Sequence, residues 1–400
     1  MNRLDWTSAP AASLQGEVDV PGDKSVSHRA IMLSALADDA SHITGFLEAD
    51  DTRATARIFG QVGVRIEAPS PGERIVHGVG LRGLRAPDGV LDCGNSGTAM
   101  RLLCGVLAGQ PFDSMVAGDA SLSKRPMRRV TDPLTVMGAM IETAEGGTPP
   151  LHVHGGRTLR GIAYAPPIAS AQVKSALLLA GLYAAGETIV TEPRPTRDYT
   201  ERMLAAFGWP IAFEPGRARL SGGHALHATD VEVPADFSSA AFFMVAATLV
   251  PGSEVVLRNV GMNPRRTGLL HVLRAMGANI CEENPHEAGG EPVADLVVRH
   301  ASLRGIEVPV EHVADMIDEF PVLFVAASCA EGTTTIRGAE ELRVKESDRI
   351  AVMAAGLRAL GARIEERLDG AVVDGARLHG GDVDSQGDHR CAMAFAVAGA

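Results

Sequence analysis

Ser25-Val-Ser-His-Arg-Ala-Ile-Met-Leu-Ser-Ala-Leu36 is a short polar opening followed by a small helix that is apolar nearly all the way round, and the chain writes it again and again. It returns as Ser96-Gly-Thr-Ala-Met-Arg-Leu-Leu-Cys-Gly-Val-Leu107 and as Ser170-Ala-Gln-Val-Lys-Ser-Ala-Leu-Leu-Leu-Ala-Gly181. It returns three more times, as Phe237-Ser-Ser-Ala-Ala-Phe-Phe-Met-Val-Ala-Ala247, Asp318-Glu-Phe-Pro-Val-Leu-Phe-Val-Ala-Ala327 and Asp388-His-Arg-Cys-Ala-Met-Ala-Phe-Ala-Val-Ala398. The period is roughly 70 residues, longer than a solenoid repeat, so each copy is a small folded unit. After each complete opening come a turn and a β-like stretch (Thr188–Thr191, Glu254–Leu257, Thr333–Ile336). A second, amphipathic helix then stops at a glycine: Val62-Gly63, Met137-Gly138, Phe207-Gly208, Met276-Gly277, Leu360-Gly361. The sixth copy stops in its first helix.

A helix apolar all round has to be buried, whereas the second helices keep a polar face, so each copy puts one helix inside and one outside under a sheet. The pattern is β-α-β-α-β-β, an α/β (α+β) chain. Val18-Asp-Val-Pro-Gly-Asp23 and Val231-Glu-Val-Pro-Ala-Asp236 are near copies that flank copies one to three. The expected division is therefore a discontinuous domain, 1–21 plus 236–400 with copies four to six, and an inserted domain, 22–235, joined by short hinges.

With 400 residues and 46% hydrophobic residues, two cores are affordable. Residues 1–10 show neither a basic leader nor an apolar signal core, and the longest apolar runs fall short of a membrane span, so a cytoplasmic chain is expected. Five scattered cysteines without CxxC spacing argue against a disulfide frame or zinc site, and each is expected to be a small core residue. A formal net charge of −12 disfavours nucleic acid and anionic membrane as partners but leaves room for a local basic pocket.

The inner helices start at Ser, Asn or Asp with Lys or Arg close by, and helix N-termini offer free N–H groups and a positive dipole end. One such start is only an N-cap. Several together, with cations beside them, would hold a multiply anionic ligand. Lys24 and Arg29 bracket one start, and Gly118–Arg129 is dense in cations, with Arg125 able to clamp a carboxylate. Glu341–Arg349 alternates charge, which in isolation describes a salt-bridged surface. There is no GxxxxGK[ST] loop and no HExxH. His152-Val-His154 has the alternation of a metal pair, but with no further ligand nearby in sequence it reads as one strand face, and no metal is expected.

Gly22-Asp-Lys24-Ser-Val-Ser-His-Arg29, Leu91-Asp-Cys-Gly-Asn95-Ser-Gly97-Thr98, Arg125-Pro126, Ser170-Ala-Gln172, Arg343-Val-Lys345-Glu346-Ser-Asp-Arg349 and Asp388-His-Arg390 together resemble the signature segments of the 5-enolpyruvylshikimate-3-phosphate synthases. The likeness runs from residue 18 to the end. It implies a two-domain inverse αβ barrel of six copies, closing on substrate across the hinge, and transfer of the enolpyruvyl group of phosphoenolpyruvate to shikimate 3-phosphate by a cytoplasmic monomer without a cofactor. It further implies that Lys24, Ser25, Arg29, Ser170, Gln172, Arg197, Asp318 and Lys345 hold shikimate 3-phosphate. Lys24, Gly97, Arg125, Gln172, Arg349 and Arg390 would then hold phosphoenolpyruvate. The chemistry needs one carboxylate as base and one as acid. Asp318 is assigned as base and Glu346 as acid, with Lys24 assisting. Family members continue for a few tens of residues past the point matching Ala400, completing the sixth copy and bringing another lysine. Gly97 is similar to members open to the herbicide glyphosate, whereas Arg197-Asp-Tyr-Thr-Glu201 resembles the tolerant group. The rival with the same fold is UDP-N-acetylglucosamine enolpyruvyl transferase, whose reactive loop cysteine has no counterpart in Gly118–Arg129. A non-catalytic phosphometabolite-binding protein is the alternative from another class.

Overall fold

The computed structural model describes residues 5–400; the first four residues of the 1–21 segment lie outside the described residues. Contacts divide the chain into two compact units. Unit 1 contains residues up to Pro21, Ala235–His286 and Pro292–Ala400, and unit 2 contains Gly22–Pro234 and Glu287–Glu291. Each has its own apolar core.

Eleven α-helices occur among the described residues: α1 Lys24–Leu36, α2 Asp50–Gln61, α3 Gly97–Leu107, α4 Arg128–Val136, α5 Ala171–Gly181, α6 Tyr199–Ala206, α7 Phe237–Leu249, α8 Gly268–Ala275, α9 Phe320–Cys329, α10 Arg349–Ala359 and α11 His389–Ala398. The odd-numbered ones are the inner helices. In α1, Val26 through Leu36 are all buried, and in α9 so are Phe320 through Ser328. Small residues let these helices approach closely: a Cβ built on Gly105 of α3 would lie 2.2 Å from the Ala176 carbonyl oxygen of α5. The even-numbered helices α2, α4, α6, α8 and α10 end two residues before the glycines expected to stop them, as at Gly63, whose φ of +95° suits a residue with no Cβ.

Five inner helices carry side-chain caps. Asp23 accepts from the Val26 N–H, Ser96 from Ala99, Ser170 from Val173, Asp236 from Ser238, and Asp388 from Arg390 and Cys391. The capping residue of α1 is thus Asp23, and Ser25 lies inside the helix. The fifth inner helix departs further. It begins at Phe320 with Glu319 in the cap position and no side-chain cap, so Asp318 does not open it. The chain reaches it through the 3₁₀ turns Val310–His312 and Ala314–Met316, and Pro321 in the first turn has no N–H to cap.

The helices pack on five sheets. Unit 2 holds three of four strands: Val231–Glu232, Ala40–Thr44, Arg74–His77 and Arg65–Glu67; Leu91–Asp92, Ser114–Ala117, Thr148–His154 and Met140–Ala144; Ile211–Glu214, Arg217–Ser221, Glu187–Thr191 and Ala163–Tyr164. Unit 1 holds Gln15–Val18, Glu254–Gly261, Glu291–Arg299 and Asn279–Ala288, except for Glu287, Ala288 and Glu291 at the tip of the last hairpin, and a three-stranded sheet of Thr333–Ile336, Gly370–Asp374 and Arg363–Arg367. In each four-stranded sheet a short edge strand from an earlier or later copy lies parallel to its neighbour. Val231 pairs with Ile43 in this way, joining the end of the third copy to the first. No helix among the described residues is long and apolar enough to cross a membrane.

The cysteine expectation needs correction at two positions. Cys93, Cys104 and Cys391 are core residues, but Cys281 and Cys329 are exposed. Cys281 is on the open face of an edge strand, and Cys329 is the last residue of α9.

Candidate functional site

Unit 2 gathers cations at the starts of its inner helices. Arg29, one turn into α1, is buried, yet its guanidinium donates only to neutral oxygens: Nε to Thr200 Oγ1 at 2.7 Å, Nη2 to Ser175 Oγ at 2.9 Å and Nη1 to the Ser25 carbonyl at 2.9 Å. Its charge lies 5.7 Å over the Tyr199 ring. Burial lowers its pKa; Glu201, Tyr199 and Asp23 oppose that, while the nearby Arg197 charge adds to it. Lys24 is half-exposed and forms an ion pair with Asp51. Between these cations and the α3 start, buried His28 bridges Thr55 Oγ1 at 2.7 Å and Ser96 Oγ at 3.3 Å. Burial, then Lys24 and Arg29, push its pKa down to about 3, so it links α1 to α3 as a neutral ring.

At α3 and α5, Gln172 accepts from Arg101 Nη1 at 2.6 Å and donates to Thr98 Oγ1 at 3.0 Å. Arg125 donates to Asn95 Oδ1 at 2.8 Å. A Cβ on Gly97 would lie 2.9 Å from Arg101 Nη1 and 3.3 Å from Arg125 Nη1, so the glycine leaves the space both guanidiniums border. Burial first, then the Arg125 and Arg129 charges, lower the pKa of Arg101. Among the described residues, Arg29, Arg101 and Arg125 have no carboxylate within ion-pair distance, unlike Arg53, Arg74, Arg258, Arg274, Arg343 and Arg358. Three buried or half-buried guanidiniums facing neutral oxygens are an unbalanced positive field that a phosphate or carboxylate would complete.

Ser170 caps α5, and its N–H donates to Glu192 Oε1 at 3.2 Å. Glu192 also accepts from Thr196 Oγ1 at 2.7 Å, next to Arg197. Lys174, deep in α5, contacts Glu192 and Glu201 at 2.8 Å each. Burial alone would lower the lysine pKa; the two carboxylates overcome it and raise it.

Unit 1 has the opposite balance. Arg349 Nε meets Asp388 Oδ2 at 2.9 Å, Nη2 meets Glu346 Oε2 at 2.6 Å, and Nη1 lies 3.6 Å from Asp318 Oδ1. Arg266 Nη1 lies 3.3 Å from Asp318 Oδ2, and Nη2 approaches Asp236, Ser238 and Glu319. Arg390 Nη1 donates to the Asp318 carbonyl at 3.2 Å and lies 3.8 Å from Glu319 Oε1. Asp318 therefore sits between two arginines, with Glu346 sharing one of them. Burial raises the Glu319 pKa, against the pull of Arg266. Asp388 is held below the usual carboxylate range because hydrogen bonds and charge from Arg349 outweigh its burial. Lys345 is turned to Glu341, 2.8 Å away, and Arg343 to Asp348 at 2.7 Å, so the charge alternation of this stretch does serve local ion pairs.

Arg101, Arg266 and Glu319 were not expected from the sequence. Arg101 had a signal, a lone cation one turn into an apolar inner helix, the place Arg29 and Lys174 hold in α1 and α5. His152 and His154 do share one strand face, and the fold brings Asp113 and Glu142 to the pair.

The sequence profile of the EPSP synthase (3-phosphoshikimate 1-carboxyvinyltransferase) family matches residues 9–400. A 3-phosphoshikimate 1-carboxyvinyltransferase from Xanthomonas campestris pv. campestris (strain B100) is 67% identical over 394 residues, 98% of this chain and 90% of the relative. Its counterpart from Xanthomonas oryzae pv. oryzae (strain PXO99A) is 65% identical over 398 residues, 100% of this chain and 90% of the relative. A solved EPSP synthase from Acinetobacter baumannii superposes with a TM-score of 0.93 at 53% identity, covering 98% of this chain and 91% of that one.

Proposed function

The chain belongs to the EPSP synthase family, the 3-phosphoshikimate 1-carboxyvinyltransferases, and from that premise we propose which of its residues bind the two substrates and which move protons. The activity is transfer of the enolpyruvyl group of phosphoenolpyruvate to the 5-hydroxyl of shikimate 3-phosphate, with release of phosphate, on the shikimate route to chorismate. Both substrates are multiply anionic. The observation that carries the assignment is the set of unit 2 cations, Arg29, Arg101 and Arg125, that hydrogen-bond neutral oxygens only.

Shikimate 3-phosphate engages Lys24, Ser25, Arg29, Ser170, Gln172 and Arg197, with Asp318 and Lys345 on its hydroxyl side. Phosphoenolpyruvate engages Lys24, the space beside Gly97, Arg125, Gln172, Arg349 and Arg390. Asp318 takes the proton of the 5-hydroxyl as its oxygen bonds to C2 of phosphoenolpyruvate, and Glu346 delivers a proton to the methylene C3. The tetrahedral adduct then expels phosphate while the Glu346 carboxylate takes a proton back from C3, restoring the double bond. Arg349 shares its charge between Glu346 and Asp318; an incoming anion that draws on Arg349 would loosen both carboxylates at the moment they are needed. Preset cations and helix ends stabilise the developing charge. These roles call on no cofactor. The chain is read as acting as a cytoplasmic monomer, a net charge of −12 supporting small-molecule rather than nucleic-acid or membrane partners.

A coupled phosphate-release assay tests this reading. Phosphate should appear only with both substrates present, and shikimate without its phosphate should be a poor acceptor. Release from phosphoenolpyruvate alone, or equal rates with and without the 3-phosphate, would overturn it.

A further inference from the structure

His152 and His154 project from one face of the strand Thr148–His154, with ring centroids 4.0 Å apart and tilted by 45°. Glu142 stands opposite His152 on the adjoining strand Met140–Ala144, and Asp113 comes from the turn just before Ser114–Ala117. Asp113 Oδ2 lies 3.6 Å from His152 Nε2 and 3.5 Å from His154 Nδ1. One ligand atom from each of Asp113, His152 and His154 falls within 4.8 Å of the others.

The two Asp113 separations are too long for hydrogen bonds. They are close to the edge of a tetrahedron with metal–ligand bonds of about 2.0–2.1 Å, which is about 3.3–3.4 Å. Asp113 is already oriented: its Oδ1 accepts the Gly155 N–H at 2.9 Å, leaving Oδ2 for the imidazoles. Glu142 Oε1 is 3.1 Å from His154 Nε2, a buried nitrogen on which no hydrogen bond closes. A carboxylate beside the outer nitrogen of a ligating imidazole is the support that metal-bound histidines normally have.

We propose that Asp113 Oδ2, His152 Nε2 and His154 Nδ1 bind one first-row divalent cation of the zinc type, with Glu142 orienting His154 and water in the fourth position. Two imidazoles and a carboxylate suit such an ion better than magnesium or calcium. None of the four residues belongs to the proposed substrate site. The ion would clip the turn at Asp113 to the strand carrying both histidines, a stabilising role.

The test is zinc titration of the full chain, stripped with a chelator, by equilibrium dialysis and calorimetry, with the thermal midpoint followed in parallel. One zinc should bind per chain and raise the midpoint, magnesium should not replace it, and turnover should be unchanged. Asp113→Asn and His152→Gln, each checked for native circular dichroism, should bind at least about 10-fold more weakly, the usual cost of disturbing a metal's ligand shell. No stoichiometric binding, or equal binding by the variants, would overturn the proposal. Equal binding would move the ion elsewhere, for instance to the stacked His271–His312 pair of unit 1.

Discussion

Replacing Asp318 by alanine should lower turnover by about 10²-fold or more while leaving the fold intact, and Glu346→Gln should do the same. Asp318 is held between Arg266 and Arg349, so its carboxylate is fixed in place as a base must be. Its removal leaves no arginine bare, since Arg349 keeps Asp388 and Arg266 keeps Asp236 and Glu319. The loss should therefore appear in kcat and not in the melting temperature. A steady-state assay alongside calorimetric melting separates the two. Near-normal kcat in either purified variant would remove that residue from proton transfer.

The largest stability effect is expected at Lys174. Its ammonium lies 2.8 Å from both Glu192 and Glu201, and the three side chains are at most 3% exposed. Lys174→Met keeps the length and removes the charge, leaving two buried carboxylates without their cation. Breaking a buried ion pair from one side costs about 3–5 kcal/mol. Glu201 is already raised by its burial, with Lys174 opposing, so losing the lysine pushes it toward the protonated form. Because Glu192 also holds the Ser170 N–H and Thr196, affinity for shikimate 3-phosphate should fall as well. The triple variant Lys174→Met/Glu192→Gln/Glu201→Gln should recover much of the stability, since no charge is then stranded. Urea denaturation measures both. A single variant within about 1 kcal/mol of the parent would mean that the triad is solvated or neutral.

The parts of the fold legible in the sequence are those dictated by local pattern. Inner helices such as α7 and α9 are apolar on every side, and the outer helices end where a glycine takes a left-handed turn, as at Gly63. Asp318 was read as opening α9 because an aspartate before an apolar run is the ordinary cap signal. The 3₁₀ turns ahead of it, which carry no periodicity, turn its carboxylate to Arg266 and Arg349 instead. Arg266 sits in a turn before α8, and its partners Asp236 and Asp318 are 30 and 52 residues away, so nothing local marks it. Asp113 and Glu142 likewise reach the histidine pair only through sheet register and a returning turn. Arg101 could have been found by aligning the inner helices on their second turn.

Arg125, Arg349 and Arg390 are each proposed to serve phosphoenolpyruvate. The direct measurement is kcat/KM for phosphoenolpyruvate at saturating shikimate 3-phosphate in Arg125→Ala and Arg390→Ala. Charged hydrogen bonds are worth about 1.5–3 kcal/mol, so each variant should lose about 10- to 100-fold. Parent-like kcat/KM in either variant would contradict the claim.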